Sequence, residues 1–438
     1  MYQKASFSID NYCEFRKKAL TWLKNHDIFC FLDSNSDSCI KHAHSYSSYD
    51  FMVAAGTNAQ FFPGKKTSLK SFDKTLLGNQ GWFFGFLTYD LKNYFEKLTS
   101  ENTDNINWPG FYFFSPNIIF LVKDKNVDVL TAQNSLAGPQ QVWEQYLSSL
   151  PLDYSKGTNK TEITPRITKD EYLSVVKQLK SHIRKGDLYE INFCQEFYAH
   201  SALEPFEAFL ELTETSPAPF SAFLRLGEKF LVSASPERFL KKQGKKLISQ
   251  PIKGTSRRGT NTEEDHNLAK ALKESPKERS ENIMIVDLVR NDLSRISEKK
   301  SVKIEELCGI YSFQQVHQMI STVSAQCKTA SFEKIIQATF PMGSMTGAPK
   351  IKAMQLSEQF ETTKRGLYSG SVGYIAPGND FDFNVVIRSL QYNAKNEYLS
   401  YMVGGAITYL SDAEKEYIEC IIKASAIEKL LCNGKAAL

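Results

Sequence analysis

The stretch FSAFLRLGEKFLVSASPERFLKKQGKKLISQPIKG, residues 220–254, says most about the fold. Within it, three mainly apolar segments, FSAFLRL, KFLVSAS and KKLISQPIKG, are each bounded by glycine or proline. Short apolar runs bounded by such turn residues are typical of β-strands joined by turns. The stretch therefore predicts consecutive strands of an antiparallel sheet.

The rest of the chain predicts more strands on both sides of this stretch. Residues 1 to about 150 contain short apolar and aromatic runs such as IFCFLDSNSDS and GWFFGFLTYD, which favour short strands over helices. The polar segment DYSKGTNKTEITPRI then predicts a connection between two parts of the fold. Further strands are predicted at GSVGYIA, DFNVVIRSLQY and LSYMVGGAITYL.

Helices are predicted between these strands. Thr168 and Glu171 have the spacing of a capping box at the start of a helix, and so do Ser411 and Glu414. A third helix is predicted around Glu281–Leu293, and a fourth begins at Pro349. Antiparallel strands with several intervening helices predict an α+β fold.

Composition excludes several classes of protein. The 438 residues are 42% hydrophobic and 23% charged with a net charge of +4, as in a globular protein without an evident nucleic-acid or membrane partner. No apolar signal core opens the sequence, and no apolar run is long enough to span a membrane. The eight cysteines form no C-x-x-C pair, which favours reduced thiols. We therefore expect a cytoplasmic protein.

Carboxylates on two predicted helices could bind a metal ion. Glu416, Glu419 and Lys423 share one face of the last helix, where a solvated Glu419–Lys423 salt bridge is the ordinary interpretation. Glu281 projects from an apolar helix face, where its charge needs a partner. A buried salt bridge and a Mg²⁺ ion satisfy that need equally well.

Other residues suggest a site for an anion. The segment PMGSMTGAPKIKAM is a glycine-rich turn without the spacing of a Walker A loop, so a structural turn is its ordinary interpretation. Arg388 is a cation in an apolar predicted strand, and Gly404 and Gly405 interrupt another strand. His317 fits a core histidine. Together these features indicate a site for a small molecule with several negative charges, without naming it.

Several motifs together resemble the chorismate-utilising enzymes. These are SPERF, PIKGTSRRG, ENIMIVDLVRNDLSRI, GSMTGAPK, RGLYSGSVGY, NVVIRSL and VGGAITYLSDAEKEYIECIIKA, in the family's order from about residue 160 to 428. The resemblance implies large, mostly antiparallel sheets forming a two-lobed β-sandwich with helices packed outside. It also implies an N-terminal region, 1–155, intertwined in one structural unit with a chorismate-binding catalytic region, 160–435.

The resemblance assigns a role to each matching residue. Glu281 and Glu419 would hold Mg²⁺, with Glu416 assisting directly or through water. Glu237 would be the general acid that helps the 4-hydroxyl group of chorismate to leave, and His317 a polar residue of the pocket with a catalytic role. The substrate-binding set would be Ser344, Tyr368, Arg388, Gly404, Gly405, Ala406 and Lys423.

Lys253 decides between branches of the family. On its own it is either a surface lysine at a strand end or an amine aimed into a site. In anthranilate synthases the position usually carries alanine, whereas lysine resembles aminodeoxychorismate synthase component I. In that branch the amine attacks C2 of the ring, and ammonia then adds at C4, giving 4-amino-4-deoxychorismate for 4-aminobenzoate and folate synthesis. Burial among apolar neighbours would lower the pKa of the amine and make it nucleophilic.

Alternatives and departures remain. Anthranilate synthase component I is the nearest alternative, and isochorismate or salicylate synthase, which use water, is a more distant one. Glu190 stands where the family commonly has glutamine, and FLDSNS only loosely resembles the segment linked to tryptophan feedback. No glutaminase or lyase segment is recognised. We therefore expect ammonia to come from a separate glutamine amidotransferase subunit, and a separate lyase to act next.

Overall fold

A computed structural model describes residues 2–36, 47–64, 68–78, 80–153, 161–329 and 331–432. Residues 154–160 of the predicted connection 153–167, and Cys39, lie outside these ranges. The other seven cysteines are free thiols within the described part.

The strands in chain order are β1 (Tyr2–Ser8), β2 (Ile28–Asp33), β3 (Phe51–Ala55), β4 (Ala59–Phe61), β5 (Phe83–Leu87), β6 (Phe111–Ser115), β7 (Ile118–Lys123), β8 (Asn126–Ala132), β9 (Thr164–Pro165), β10 (Glu190–His200), β11 (Phe220–Leu226), β12 (Lys229–Ser235), β13 (Arg238–Gln243), β14 (Lys246–Gln250), β15 (Ile252–Arg257), β16 (Lys303–Ser312), β17 (Val316–Gln326), β18 (Gly347–Ala348), β19 (Ser371–Ile375), β20 (Phe381–Asn384), β21 (Ser389–Asn393) and β22 (Tyr398–Thr408).

The helices are α1 (Tyr12–Leu23), α2 (Leu69–Leu76), α3 (Lys92–Phe95), α4 (Pro139–Ser148), α5 (Lys169–Arg184), α6 (Pro205–Thr215), α7 (Thr262–Glu274), α8 (Pro276–Ser294), α9 (Phe332–Thr339), α10 (Lys350–Phe360) and α11 (Ala413–Leu431).

The described strands form two antiparallel sheets, one of 12 strands and one of 10. The larger runs in the order β1-β8-β7-β3-β2-β11-β12-β21-β22-β10-β18, with β9 beside β10. The smaller runs β15-β17-β14-β13-β20-β19-β5-β6-β4, with β16 beside β17. Strands from the first 150 residues enter both sheets, through the pairs β2–β11 and β5–β19. The α+β class and the large antiparallel sheets are confirmed.

The apolar core lies in three layers. A central cluster joins the sheets, where Phe84 and Phe86 of the smaller sheet pack with Cys30 and Met52 of the larger. The outer face of the larger sheet is covered by helices that include α1, α5 and α11. The outer face of the smaller sheet is covered by α2, α8 and α9. This arrangement is a β-sandwich with helices outside, as the resemblance implied.

The opening stretch forms strands, but not three. KKLISQPIKG splits at Pro251 into β14 and β15, because proline has no N–H for the ladder, and both strands pair with β17. RFLKKQ forms an additional strand, β13, which the sequence did not suggest because of its charges. Its Lys241 and Lys242 are nevertheless buried.

Helix prediction was correct at α5 and wrong by one residue at α11. Thr168 and Glu171 form the expected capping box. At α11 the cap is Asp412, whose carboxylate accepts the Lys415 N–H at 3.1 Å. Ser411 instead closes the preceding turn, where its hydroxyl accepts the Thr408 N–H at 3.0 Å. Either residue type can cap a helix, and only the path of the chain selects one.

Two further expectations were wrong. The first 150 residues contain α1, α2 and α4 besides strands. The sequence signal for α1 that was missed is the helical spacing of Phe15, Ala19 and Trp22, which are buried on one face of the helix. Arg388 lies in a bend between β20 and β21 rather than in a strand, with a left-handed φ of 51°.

Candidate active site

A cavity of about 800 Å³ lies against both sheets, α8 and α11. The residues that line the cavity come from positions between 192 and 427 in the chain. Eleven of the predicted site residues line it: Glu237, Lys253, Glu281, Ser344, Tyr368, Arg388, Gly404, Ala406, Glu416, Glu419 and Lys423. Residues from distant parts of the chain therefore share one chamber.

Two predicted site residues, His317 and Gly405, are not among the lining residues. His317 is 1% exposed, and both of its ring nitrogens are engaged within the protein. Nδ1 lies 2.7 Å from the Ser312 hydroxyl, and Nε2 lies 2.9 Å from an Asp265 carboxylate oxygen. Its neighbours Val316 and Gln318 line the cavity, because successive side chains of a strand point to opposite faces. The position supports the ordinary interpretation of His317 as a satisfied core histidine.

Lys253 is not a surface lysine. It lies near the start of β15, where its carbonyl accepts a hydrogen bond from the amide of Asn282 on α8 at 3.3 Å. Its side chain is 11% exposed, and Nζ donates to Glu190 Oε1 at 2.8 Å across the sandwich. Burial favours the neutral amine, but the charge and hydrogen bond of Glu190 prevail and raise the pKa of Lys253. The expected lowering of this pKa was therefore wrong. The residue responsible is Glu190, which stands where the family commonly has glutamine.

Glu237 is a buried carboxyl group with one clear partner. It follows β12, is 3% exposed, and accepts a hydrogen bond from the Ser344 hydroxyl at 2.6 Å. Burial raises the pKa of Glu237 to about 7, although Ser344 and the charge of Lys253 oppose the shift. A carboxyl group with such a pKa can donate a proton near neutral pH.

Two carboxylates on different helices approach each other across a lysine. Lys277 Nζ lies 3.9 Å from Glu281 Oε1 on α8 and 3.9 Å from Glu416 Oε1 on α11. Burial raises the pKa of Glu281 to about 7 and also raises that of Glu416. Glu281 is thus compatible with both interpretations, because it forms a salt bridge with Lys277 and also lines a cavity that could hold a metal ion.

Glu419 and Lys423 form the salt bridge that their spacing predicted, with an N–O distance of 2.7 Å. Lys423 also donates to the Gly404 carbonyl at 3.0 Å. The charge of Lys423 lowers the pKa of Glu419. Gly404 is glycine for a packing reason, because a Cβ there would lie 2.6 Å from Cys194 Sγ and 2.8 Å from the Phe193 carbonyl.

Arg388 and Tyr368 supply cationic and phenolic groups to the cavity. In the described part of the chain the Arg388 guanidinium has no hydrogen bond or ion pair. Burial lowers the pKa of Arg388, and burial also raises that of Tyr368 well above its usual value. A half-buried guanidinium without a partner carries a desolvation cost that a bound carboxylate would offset. Its left-handed backbone holds it at this position.

The carboxylates fit Mg²⁺ only as part of a shell. No group of three or more histidine, cysteine, aspartate or glutamate residues within the described ranges is spaced to hold a metal ion. Mg²⁺ often binds through one or two carboxylates and completes its shell with water and an anionic substrate. Glu281 and Glu416, which already face one cation between them, fit that mode of binding.

Sequence reasoning missed Lys277 and Glu278. Both line the cavity, and Lys277 precedes Glu281 by four residues on α8. That i,i+4 spacing was a usable signal. Glu278 had no such signal, because its place beside Gly254 depends on how α8 packs on β15.

Comparison with known proteins agrees with this chemistry. The profile of the chorismate binding enzyme family matches residues 28–429. The chain therefore belongs to the chorismate binding enzymes, and the cavity is the candidate active site of an enzyme of that family.

Individual relatives carry two different names. Aminodeoxychorismate synthase component 1 of Bacillus subtilis is 32% identical over 364 residues, covering 80% of this chain and 77% of that protein. Anthranilate synthase component 1 of Thermus thermophilus is 31% identical over 368 residues, covering 82% and 79%. Among solved structures, anthranilate synthase component I of Streptococcus pneumoniae superposes with a TM-score of 0.75 at 26% identity, covering 87% and 91%. Overall similarity thus establishes the family and leaves the branch to the site.

Proposed function

We propose that this protein aminates chorismate at C4 to give 4-amino-4-deoxychorismate. The observation that carries the proposal is the position of Lys253, which lines the same cavity as Glu237 and is not a surface residue. The similarity to aminodeoxychorismate synthase component 1 supports the same branch. The unpaired Arg388 and the Lys423 amine suit the two carboxylates of chorismate.

The proposed reaction has two displacements. The neutral amine of Lys253 forms a bond to C2 of the ring while the C4–O bond breaks, and Glu237 donates the proton with which the hydroxyl leaves as water. Ammonia then forms a bond to C4, the bond between C2 and the lysine nitrogen breaks, and its electron pair returns to Lys253. Glu237 regains a proton from solvent before the next turnover.

Mg²⁺ belongs to the proposal as a cofactor. When bound, it would neutralise and orient a substrate carboxylate. Glu281 and Glu419 would hold it, with Glu416 assisting directly or through water, and Lys277 would be released from the two carboxylates it now faces. Of these, Glu281 and Glu416 lie closest to a common cation position.

We further propose that ammonia comes from a glutamine amidotransferase subunit. The name "component 1" of the relatives supports a second component. The product would serve 4-aminobenzoate and folate synthesis in the cytoplasm. The described part of the chain includes no helix that could span a membrane.

Product identification tests the proposal. The purified protein is incubated with chorismate, MgCl₂ and an ammonium salt at mildly alkaline pH, and the products are separated and identified by mass spectrometry. A non-aromatic amine that an added lyase converts to 4-aminobenzoate is the expected result. Anthranilate with pyruvate would instead assign the tryptophan branch, and turnover without any amine would assign an isochorismate or salicylate synthase.

A further inference from the structure

Glu190 is a buried carboxylate to which the proposed reaction assigns no task. It begins β10, is 1% exposed, and lies behind the cavity rather than among its lining residues. Its Oε1 accepts a hydrogen bond from the Lys253 amine at 2.8 Å. Its Oε2 is buried and, in the described part of the chain, has no hydrogen-bond partner. A buried carboxylate with half of its hydrogen-bonding capacity unused calls for an explanation.

The proposed reaction needs a proton acceptor at this position. Lys253 is held as an ammonium, which has no lone pair, so it must lose a proton before it can attack C2. The charged groups that act on Lys253 are Glu190 from β10, Glu237 from the turn after β12, Glu278 and Glu281 from α8, and Glu419 from α11. Of these, within the described residues, Glu190 is the one in hydrogen-bond contact with Nζ.

A proton transfer from Lys253 to Glu190 would remove two buried charges. An ion pair at this depth carries a large desolvation cost for both charges. The unpartnered Oε2 offers the negative charge no second hydrogen bond. Transfer of one proton along the existing hydrogen bond replaces the two charges with two neutral groups and needs no movement of either side chain.

We propose that Glu190 is the positioning residue that takes the proton from Lys253 and so generates its nucleophilic amine. One N–H bond of the Lys253 ammonium breaks, one O–H bond forms on Glu190, and the electron pair stays on nitrogen for the attack on C2. When ammonia has expelled the lysine from C2, the proton returns to Nζ and the ion pair is restored. The inference rests on the proposed amination and adds the step that precedes it.

The pH dependence of turnover separates this role from a structural one. An internal transfer leaves the number of protons on the pair unchanged, so turnover should not depend on pH while the pair holds one proton. In Glu190→Gln the lysine must lose its proton to solvent, so kcat should rise about tenfold per pH unit below the pKa of the amine. The window from pH 5.0 to 6.5 suits the test, because Glu237, with a pKa of about 7, stays mainly protonated there.

The experiment uses the full chain with saturating chorismate and MgCl₂, and the total ammonium concentration is raised as the pH falls so that the concentration of free ammonia stays constant. It compares wild type, Glu190→Gln, Glu190→Asp and Glu196→Gln by kcat and KM for 4-amino product. Glu196 is a matched control, because it is a buried glutamate on the same strand, paired with Arg166 at 2.9 Å and remote from Lys253. Circular dichroism and thermal unfolding establish that each variant is folded.

The expected result is a flat kcat profile for wild type and Glu196→Gln. Glu190→Gln should lose about 30-fold in kcat between pH 6.5 and 5.0, as tenfold per pH unit requires, with KM changed less than about twofold. Glu190→Asp keeps a carboxylate and should restore the flat profile at a reduced rate, which keeps the test valid if Glu190→Gln does not fold.

Other outcomes overturn the inference without touching the proposed function. A uniform loss of kcat in Glu190→Gln with an unchanged profile would mean a packing role. A faster Glu190→Gln enzyme with a flat profile would mean that Glu190 only restrains the lysine. A sloped profile for wild type or Glu190→Asp would exclude internal transfer. If wild type makes no C4 amine, the proposed function itself fails, which is a different result.

Discussion

Two lysine–glutamate pairs of nearly equal length lie at the candidate active site, and their surroundings differ. Lys253 and Glu190 are 2.8 Å apart, with side chains that are 11% and 1% exposed. Lys423 and Glu419 are 2.7 Å apart, with side chains that are 28% and 47% exposed. The first pair joins residues 63 positions apart on two sheets, and the second joins adjacent turns of α11.

The comparison shows that burial, and not bond length, separates the two pairs. Around the solvated pair on α11, water screens both charges, so the interaction stabilises the helix little. Around the buried pair, each charge depends on the other, because removing one partner leaves a desolvated charge behind. The same two residue types therefore form a solvent-screened ion pair on α11 and, between the two sheets, a buried ion pair within which we propose a proton transfer.

Removing Lys253 should have the largest effect. We expect Lys253→Ala to lose at least about 10³-fold in 4-amination, because no other described amine occupies that position. It should also lose about 3–5 kcal/mol of stability by stranding Glu190. Product analysis measures 4-amination, urea unfolding measures stability, and calorimetry measures whether chorismate still binds.

Chorismate binding by Lys253→Ala should persist, and anthranilate should appear if the lysine directs ammonia to C4. Lys423→Ala is the matched control for stability. Normal 4-amination by Lys253→Ala would break the comparison, because it would make the buried pair as dispensable as the exposed one.

The pH dependence of stability should have opposite signs in the two regions. Glu237 has a folded pKa of about 7 against an ordinary value of 4.5. Its contribution is fully present below about pH 4.5 and is lost as pH rises through about 7, an upper bound of ~3 kcal/mol. Glu237→Gln should therefore gain stability relative to wild type between pH 5.5 and 8, as measured by denaturant unfolding.

Glu419→Gln should behave in the reverse way. The folded pKa of Glu419 is lowered, so its contribution is present above the ordinary value and is lost as pH falls. Wild type should exceed this variant slightly near neutral pH and lose the advantage in acid. Equal pH trends for the two variants would contradict the assigned pKa directions.

Metal affinity sharpens the comparison at a third place. Glu281→Gln should weaken Mg²⁺-dependent chorismate binding at least about tenfold, because it removes one of the two carboxylates that face a common cation position. Titration calorimetry with and without MgCl₂ measures this directly. Asp287→Asn is the control, as Asp287 is an exposed residue of α8 paired with Arg290. An effect of equal size in the control would remove Glu281 from the metal site.

The smallest effect is expected at Lys423. Its solvated pair with Glu419 should contribute about 0.3–0.5 kcal/mol to stability, as exposed i,i+4 pairs do. Lys423→Ala should therefore unfold within about 0.5 kcal/mol of wild type while its KM for chorismate rises, since the amine also lines the cavity. A stability loss as large as that of Lys253→Ala would show that burial does not separate the pairs.

Local patterns predicted much of this molecule. The capping box of α5, the Glu419–Lys423 pair and the strands around residues 220–235 each depend on residues close together in the chain. Longer-range features were harder to predict. Pro251 divides one expected strand into two, and α11 is capped by Asp412 rather than Ser411, because competing local signals were settled by the path of the chain. His317 matched a family motif, yet its side chain faces away from the cavity.

The sequence by itself determined the α+β class, the family and eleven of the residues that line the cavity, because motif identity and hydrophobic period are properties of the chain. The tertiary structure alone decided which charged side chains lie next to each other. It placed Glu190 against Lys253, set Lys277 between Glu281 and Glu416, and left Arg388 without a partner in the described part of the molecule. These contacts depend on how the two sheets and α8 pack, and the burial that follows from packing sets the pKa of each group.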